Sequence, residues 1–311
     1  MIVGNIELKR KIEELLKLLN KGLIGKEKVI KLTLLGVFAK ENIILIGPPG
    51  TAKSEISRRI TKIFSEESYF EYLLTKFTTP EEIFGPLSIK KLQEDIFERN
   101  AQGYMPTSKI VFLDEIFKAN SSILNTLLAM INEKIFHNGG KRQEIPLISV
   151  IGASNELPFE NEELAALYDR FLLRRIVNYV SDDDVEELMD IESGNILIPE
   201  HLKITSQDLD KIEKEYINIK LSENVKKTLI RIRSEYNRIF SENRYETISD
   251  RKFVKMIKLL KISAYINGRK KVDFSDVMLL TDCLWNNPEN YETVTKVVLD
   301  IVKRNIAKET D

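Results

Sequence analysis

The chain has 311 residues, enough for about two domains, and its 43% hydrophobic and 31% charged residues are typical of an ordered globular protein. The 47 basic and 48 acidic side chains leave a formal net charge of −1, which argues against a general attraction to nucleic acid or to an anionic membrane. A single cysteine, Cys283, excludes an internal disulfide. No apolar stretch approaches the roughly 18 residues of a membrane span, and the N-terminus lacks the apolar core of a signal peptide, so we expect a cytoplasmic protein.

In chain order, a helical pattern over residues 7–20 is followed by short apolar runs that alternate with longer helical patterns. This alternation predicts a parallel sheet covered by helices. The runs that we expect to be strands are 42–47, 69–74, 109–115, 147–154 and 171–177.

An acidic stretch with glycine and proline lies between Ser181 and Pro199, and every later pattern is helical. We therefore expect two domains, 1–185 and 200–311. Ser249 and Asp273 stand where helix N-caps are expected. The predicted helices of the second domain are 205–217, 222–240, 249–267, 273–285 and 289–306.

A glycine-rich loop joins the first predicted strand to an amphipathic helix. In that context its backbone N–H groups can surround phosphate oxygens, Lys53 can reach the β and γ phosphates of ATP or ADP, and the Ser54 hydroxyl can bind Mg²⁺. Ala52 stands where glycine is usual, and we expect it to adopt the right-handed conformation of a helix's first turn. The alternative is a chance turn. The predicted nucleotide-binding residues are Gly47, Pro48, Pro49, Gly50, Thr51, Ala52, Lys53 and Ser54.

Two carboxylates, Asp114 and Glu115, follow the four apolar residues of the third predicted strand. Ligands bind at the carboxyl ends of strands in parallel sheets. Beside a phosphate loop, Asp114 would hold the Mg²⁺ ion, and Glu115 would orient or deprotonate the attacking water. Without that loop, the pair would be equally well explained as an ordinary strand end.

Together with these motifs, residues 77–89, 103–106 and 112–140 resemble the RavA subgroup of the MoxR AAA+ proteins. The resemblance extends from about residue 9 to about residue 285. It implies an α/β P-loop fold with a five-stranded parallel sheet flanked by helices, followed by an all-α lid. It also implies ATP hydrolysis in a ring, usually a hexamer, with ATP at the subunit interfaces.

The resemblance also implies roles for polar residues outside the phosphate loop. Asn155, which follows the fourth strand, resembles sensor 1, which positions the water together with Glu115; a turn asparagine is the alternative. Arg170 resembles the arginine finger that reaches a neighbouring subunit, with Arg174 and Arg175 as competitors and a surface ion pair as the alternative.

Two further segments match family positions more weakly. Arg251 begins a predicted helix and resembles sensor 2, which contacts the γ phosphate of its own subunit, although a solvated arginine is the alternative. Ile24 and Gly25 lie in a segment that resembles the one packing on adenine.

Asn138-Gly139 stands between strand-like runs, which indicates a hairpin. The family resemblance implies a hairpin before sensor 1, and we expect residues of about 134–147 to form it. Residues of about 83–106 resemble the insertion in helix 2 of the family. Such inserts commonly face the ring pore or a partner.

Three functions remain open at this point. The family favours a homo-oligomeric ring ATPase that remodels a protein partner, with a protein carrying a von Willebrand type A domain as the expected partner. A DNA-acting motor is the alternative, although the near-zero charge and the lack of a DNA-binding motif count against it. A module that binds ATP without hydrolysing it is disfavoured by the complete set of expected catalytic residues.

Overall fold

The computed structural model describes residues 3–64, 69–158, 162–190, 196–242 and 246–310. By its contacts, the chain divides into two compact units. Residues 17–171 and 175–203 form what we call the sheet unit, and residues 1–16, 172–174 and 204–311 form the helical unit. The expected domains, 1–185 and 200–311, differ from these units mainly in the N-terminal helix.

The sheet unit contains most of the regular elements. From the N-terminus to residue 190, the helices and strands are α1 (Val3–Asn20), α2 (Glu27–Ala39), β1 (Ile43–Ile46), α3 (Lys53–Thr61), β2 (Tyr69–Leu73), α4 (Pro80–Phe84), α5 (Ile89–Leu92), β3 (Ile110–Asp114), α6 (Ser121–Glu133), β4 (Ile135–Asn138), β5 (Lys141–Glu144), β6 (Ser149–Ser154), α7 (Glu162–Tyr168), β7 (Leu173–Ile176) and α8 (Val185–Met189).

Five strands form one parallel sheet in the order β2-β3-β6-β1-β7. Every residue of β1 and β6 is buried, as expected for strands that are covered on both faces. The register pairs Ile46 of β1 with Ser154 of β6, and Leu113 of β3 with Gly152 of β6. The carboxyl ends of these three strands therefore meet at one edge. All five strands predicted from the apolar runs are present, and the predicted fold class is confirmed.

A separate antiparallel hairpin is formed by β4 and β5. Its two turn residues are Gly139 and Gly140, both with positive φ (59° and 77°), as a tight two-residue turn requires. Asn138 is the last residue of β4 rather than a turn residue, and its side chain is buried.

Besides α1 as far as residue 16 and the first two residues of β7, the helical unit contains α9 (Ser206–Glu215), β8 (Lys220–Leu221), α10 (Glu223–Ile239), α11 (Asp250–Ile266), β9 (Lys271–Val272), α12 (Phe274–Val277) and α13 (Tyr291–Thr310). The predicted N-caps are confirmed, because the side chains of Ser249 and Asp273 accept hydrogen bonds from the first turns of α11 and α12. The predicted helix 273–285 is wrong in type, since α12 is short and continues as the 3₁₀ helix Met278–Asp282.

The first 16 residues belong to the helical unit because of the packing of α1. Its apolar side chains Leu8, Ile12 and Leu15 are buried, and Lys11 forms a 2.8 Å ion pair with Asp208 of α9. The sequence could not assign this helix, since an amphipathic pattern identifies a buried face without identifying what covers it. Among the described helices, none combines the length and apolar character needed to cross a lipid bilayer.

Candidate functional site

The loop between β1 and α3 begins at a glycine that no other residue could replace. The Gly47 N–H donates to the Ser154 carbonyl at 3.0 Å, which places the loop beside the end of β6. A Cβ atom on Gly47 would lie 2.1 Å from the Val177 carbonyl oxygen, a distance that forbids any side chain. Gly50 has a φ of +79°, in the left-handed region that favours glycine. Thr51 completes the loop by donating its hydroxyl to the Pro48 carbonyl at 2.9 Å.

Lys53 is buried at the first position of α3, and its ammonium turns back into the loop. It donates to the carbonyls of Gly47 at 2.7 Å and Pro48 at 2.8 Å. Burial lowers the pKa of Lys53, while the charges of Asp114 and Glu115 act in the opposite direction. The ammonium therefore lies inside the loop, within the electrostatic influence of both carboxylates.

Ala52 departs from the sequence prediction. Its φ of 67° and ψ of 21° are left-handed, so the expected right-handed conformation is wrong. The reason is that Ala52 is the N-cap of α3 rather than a residue of its first turn: its carbonyl accepts from the Ile56 N–H at 2.9 Å, while its own φ and ψ are not helical. An alanine in this conformation costs about 1–2 kcal/mol.

Two side-chain oxygens that could hold a divalent cation lie close together beside the loop. The Ser54 hydroxyl lies 3.3 Å from Asp114 Oδ2, while Asp114 Oδ1 accepts the Glu115 N–H at 3.0 Å. A hydroxyl and a carboxylate, next to a loop that can carry phosphates, fit Mg²⁺, which typically takes one or two protein oxygens and completes its shell with phosphate and water.

Glu115 follows β3 in a left-handed conformation, with φ 51° and ψ 44°. Its carboxylate is directed toward Lys118, whose Nζ lies 3.4 Å from Oε2. Asn155, the expected sensor, is exposed and directly follows β6, the strand between β1 and β3. The structure therefore brings Lys53, Asp114, Glu115 and Asn155 to the same edge of the sheet.

The candidate finger arginines differ in accessibility. Arg170 lies between α7 and β7; its carbonyl accepts from Asn42 at 3.0 Å, and its guanidinium pairs with Asp169 at 2.9 Å with 29% of the side chain exposed. Arg174 is 1% exposed and donates to the carbonyl of Trp285 and the side chain of Asn286, all within the helical unit. A side chain buried in this way cannot extend into another subunit.

The other expected residues lie on the two units as follows. Arg175 is partly buried in β7, and Arg251 is exposed in the first turn of α11, in the helical unit. Ile24 is partly buried and Gly25 exposed, in the turn between α1 and α2.

Two further side chains make long-range hydrogen bonds to or near the loop; Lys26 lies in the segment that resembles the adenine-packing one, and Tyr179 was not indicated by the sequence. Lys26 is buried and donates to the Asn178 carbonyl at 2.5 Å, and burial lowers its pKa. The Tyr179 hydroxyl donates to the Pro49 carbonyl at 3.1 Å. Both bonds join residues more than 100 positions apart, so no local pattern could have indicated them.

A five-stranded parallel sheet with a phosphate loop after β1 and an acidic pair after β3, followed by a helical unit, defines the α/β fold of the AAA+ class. A family model described as the MoxR domain of MoxR-vWA-beta-propeller ternary systems matches residues 10–214, and an AAA lid domain model matches residues 224–298. The chain therefore belongs to the MoxR family of AAA+ proteins.

Individual proteins are also similar to this chain. An uncharacterized protein of Methanocaldococcus jannaschii is 42% identical over 292 residues, which cover 93% of this chain and 75% of the relative. The chaperone MoxR1 of Mycobacterium tuberculosis is 23% identical over 171 residues, covering 54% of this chain and 44% of the relative. A crystal structure from Cytophaga hutchinsonii, 19% identical, superposes with a TM-score of 0.72 over 96% of this chain and 95% of its own, which supports the fold.

Proposed function

We propose that the protein is a Mg²⁺-dependent ATPase that works as a ring of identical subunits and remodels a protein partner. The observation that carries the proposal is the approach of Ser54 to Asp114 at the loop that holds the Lys53 ammonium. The cation that would bind phosphate and the two oxygens that would bind Mg²⁺ thereby lie at the same edge of the sheet, after β1 and β3. A similarity to the ATPase subunit HslU of an ATP-dependent protease from Staphylococcus haemolyticus, 25% identical over 225 residues (71% of this chain and 40% of the relative), supports the same reaction.

The phosphate loop would bind ATP through its backbone N–H groups and through Lys53. That ammonium now donates to two loop carbonyls, and it would exchange them for the β and γ phosphate oxygens of ATP. Ser54 and Asp114 would hold the Mg²⁺ ion, which neutralises charge on the β and γ phosphates when bound. Ile24 and Gly25 would contact the adenine.

Hydrolysis needs a residue that orients and deprotonates water. Glu115 is the candidate general base, because it extends from the strand that also carries Asp114. Asn155, at the end of the adjacent strand β6, would hold the same water through its side-chain amide. Loss of the carboxylate should therefore slow the chemical step while leaving the phosphate contacts in place.

Two arginines outside the phosphate loop would also contact the phosphates. We assign Arg170 to the ATP of a neighbouring subunit in a ring, most simply a hexamer, and Arg251 to the γ phosphate of its own subunit. The exposure of both side chains is compatible with these roles. A planar cation in the first role is worth roughly 10³ to 10⁵ in rate in comparable phosphoryl-transfer enzymes.

A protein partner is supported by the family and by one surface. The matching model is named for systems that contain a vWA component, so we propose a partner with a von Willebrand type A domain. The insert before β3 exposes two large apolar side chains, Ile89 (75%) and Phe97 (70%), which would contact the partner. The RavA-like affiliation is part of this proposal and rests on residues 77–89, 103–106 and 112–140.

Replacing Glu115 with Gln tests the proposed chemistry. E115Q should lower steady-state ATP hydrolysis by at least about 10²-fold, because the base is lost while the phosphate loop is intact. Binding of a fluorescent ATP analogue should stay within about threefold of the original protein. The matched control is E133Q, since Glu133 is exposed on α6 and pairs only loosely with Arg142. Unchanged hydrolysis in E115Q would refute the assignment.

A further inference from the structure

A buried asparagine joins the start of the sheet to the segment that carries Arg170. Asn42 immediately precedes β1 and is 4% exposed. Its Nδ2 donates to the Arg170 carbonyl at 3.0 Å, and its Oδ1 accepts the Val150 N–H of β6 at 2.9 Å. One partner is an acceptor and the other is a donor, and the side-chain amide supplies the complementary group to each. The side chain therefore attaches the Arg170 backbone to the first residues of β6.

This attachment lies at the edge of the sheet opposite the phosphate loop. Asn42 precedes β1 whereas Gly47 follows it, and the four residues of β1 separate the two edges by about 13 Å. Glu115 likewise follows β3, at the carboxyl edge. The Arg170 backbone is thus fixed on the side of the sheet away from the phosphate loop of its own subunit, which fits an arginine that serves the ATP of another subunit.

The residues next to Arg170 are fixed as well. The Arg170 N–H donates to the Leu167 carbonyl at 3.0 Å, and the Phe171 N–H donates to the Tyr168 carbonyl at 3.1 Å. Phe171 is fully buried, and a Cβ atom on Gly152 of β6 would lie 3.1 Å from its ring. The ring therefore packs where β6 has no side chain, and the turn has little freedom to shift along the sheet.

The guanidinium of Arg170, by contrast, can change its partner. It pairs with Asp169, whose side chain is 65% exposed, and its Nε is buried without a hydrogen bond among the described residues. Exposed ion pairs contribute little to stability, so a phosphate can replace the Asp169 carboxylate at small cost. A fixed backbone combined with an exchangeable partner suits a side chain that must reach one point outside its own subunit.

We propose that Asn42 is a positioning residue, which fixes the backbone from which Arg170 reaches the ATP of a neighbouring subunit. The inference rests on the proposed role of Arg170 in a ring ATPase and adds the side chain that supports it. Without the amide donor, the Arg170 carbonyl loses its attachment to the sheet, and the guanidinium is placed less accurately. A misplacement of about 1 Å can cost on the order of 10²-fold in rate.

Asn42→Asp tests the inference, because it keeps the shape and the acceptor for Val150 while it removes the donor to Arg170. We expect N42D to lower kcat for ATP hydrolysis by about 10- to 10²-fold. Binding of a fluorescent ATP analogue should stay within about threefold of the original protein, because the phosphate loop is untouched. N42A removes both bonds without burying a charge and should show the same separation of kcat from binding, so the test does not depend on how well N42D folds.

The chain offers a matched control at the same edge of the sheet. The Ser149 hydroxyl is buried and donates to the carbonyl of Glu41, the residue before Asn42, at 2.8 Å. S149A therefore removes a buried side-chain to backbone hydrogen bond that does not involve Arg170. Its rate of ATP hydrolysis should stay within about twofold of the original protein.

Mixed rings give a result that a merely structural residue would not produce. An N42D subunit keeps Glu115 but supplies a misplaced Arg170, so mixing it with E115Q, which supplies a well-placed Arg170, should restore part of the hydrolysis. Mixing N42D with R170A should restore none, because neither subunit supplies a well-placed arginine. The double variant N42D/R170A should be no slower than R170A, since Asn42 acts only through Arg170.

The outcomes separate this inference from the proposed function. If R170A and E115Q complement each other but N42D and E115Q do not, Asn42 serves its own subunit, and the inference is refuted while the role of Arg170 stands. Unchanged kcat in N42D, recovery in the mixture of N42D with R170A, or loss of ATP-analogue binding in both N42D and N42A would also refute it. If R170A and E115Q fail to complement in rings shown to be mixed, the proposed role of Arg170 and the inference fall together.

Discussion

Two residues with left-handed backbones flank the candidate site. Ala52 caps α3 and Glu115 follows β3, and each lies in a region that residues other than glycine seldom occupy. Such conformations cost of order 1–3 kcal/mol and persist only where the surroundings enforce them. Here the hydrogen bond from Ile56 to the Ala52 carbonyl and the 3₁₀ turn after Glu115 provide that enforcement.

The strain at Ala52 leads to a stability prediction. A52G should raise the free energy of unfolding of the nucleotide-free protein by about 1 kcal/mol, because glycine adopts the left-handed conformation without a Cβ clash. The same substitution within a regular helix should have the opposite effect: A129G, in α6, should lower the free energy of unfolding by about 1 kcal/mol. Urea denaturation of both variants measures the difference, and a destabilised A52G would show that the loop conformation carries no such strain.

At the scale of elements, the hairpin and the preceding insert are joined by one side chain. Asn138 Oδ1 accepts the Arg99 N–H at 2.6 Å, and its Nδ2 donates to the Arg99 carbonyl at 3.0 Å. Gly139 sits close to the insert as well, since a Cβ there would lie 3.1 Å from Glu98 Cβ. The two elements, both expected to face a pore or a partner, are therefore held together by a buried amide.

Asn138→Asp tests this contact with almost no change in shape. The carboxylate lacks the donor and places a negative oxygen against the Arg99 carbonyl, which should cost about 2 kcal/mol of stability because the group is buried. Hydrogen exchange of residues 96–100 should be faster in this variant than in the original protein. Gln143→Glu, on the exposed face of β5, provides the control and should leave that exchange unchanged. Equal protection in both variants would mean that Asn138 does not join the elements.

At the scale of the whole molecule, the proposed site is incomplete within one chain. Arg170 is assigned to the ATP of a neighbour, whereas Lys53 and Glu115 serve the ATP of their own subunit. Of the three arginines that competed for the first role, Arg174 is excluded by its burial. Arg170 and Arg175 remain as candidates for the arginine that would contact the ATP of a neighbouring subunit.

Mixing two kinds of variant subunit tests whether Arg170 and Glu115 act on the ATP of different subunits. R170A and E115Q should each be inactive alone, yet their mixture should recover part of the hydrolysis, because some interfaces will pair an intact Glu115 with an intact Arg170. Such complementation cannot occur if both residues act on one subunit's ATP. Light scattering should first establish that mixed rings form. Mixed rings without activity would transfer the role to Arg175, and R175A would be tested in the same way.

Local sequence determined much of the molecule. The five strands, the phosphate loop, the acidic pair and the N-caps Ser249 and Asp273 all follow from residues that are consecutive or a few positions apart. Periodicity of apolar residues and the geometry of a helix's first turn are short-range properties, so a single chain displays them directly. The same reasoning predicted that Lys53, Asp114 and Glu115 lie at one edge of the sheet, because parallel strands align their carboxyl ends.

Only the tertiary structure decided which side chains these elements present to one another. Three hydrogen bonds join residues that are between 39 and 152 positions apart: the one from Arg174 to Trp285, the one from Arg99 to Asn138, and the one from Lys26 to Asn178. A residue's neighbours in sequence restrict its own conformation, but the partner that satisfies its charge or its hydrogen bonds is set by chain segments folded against it.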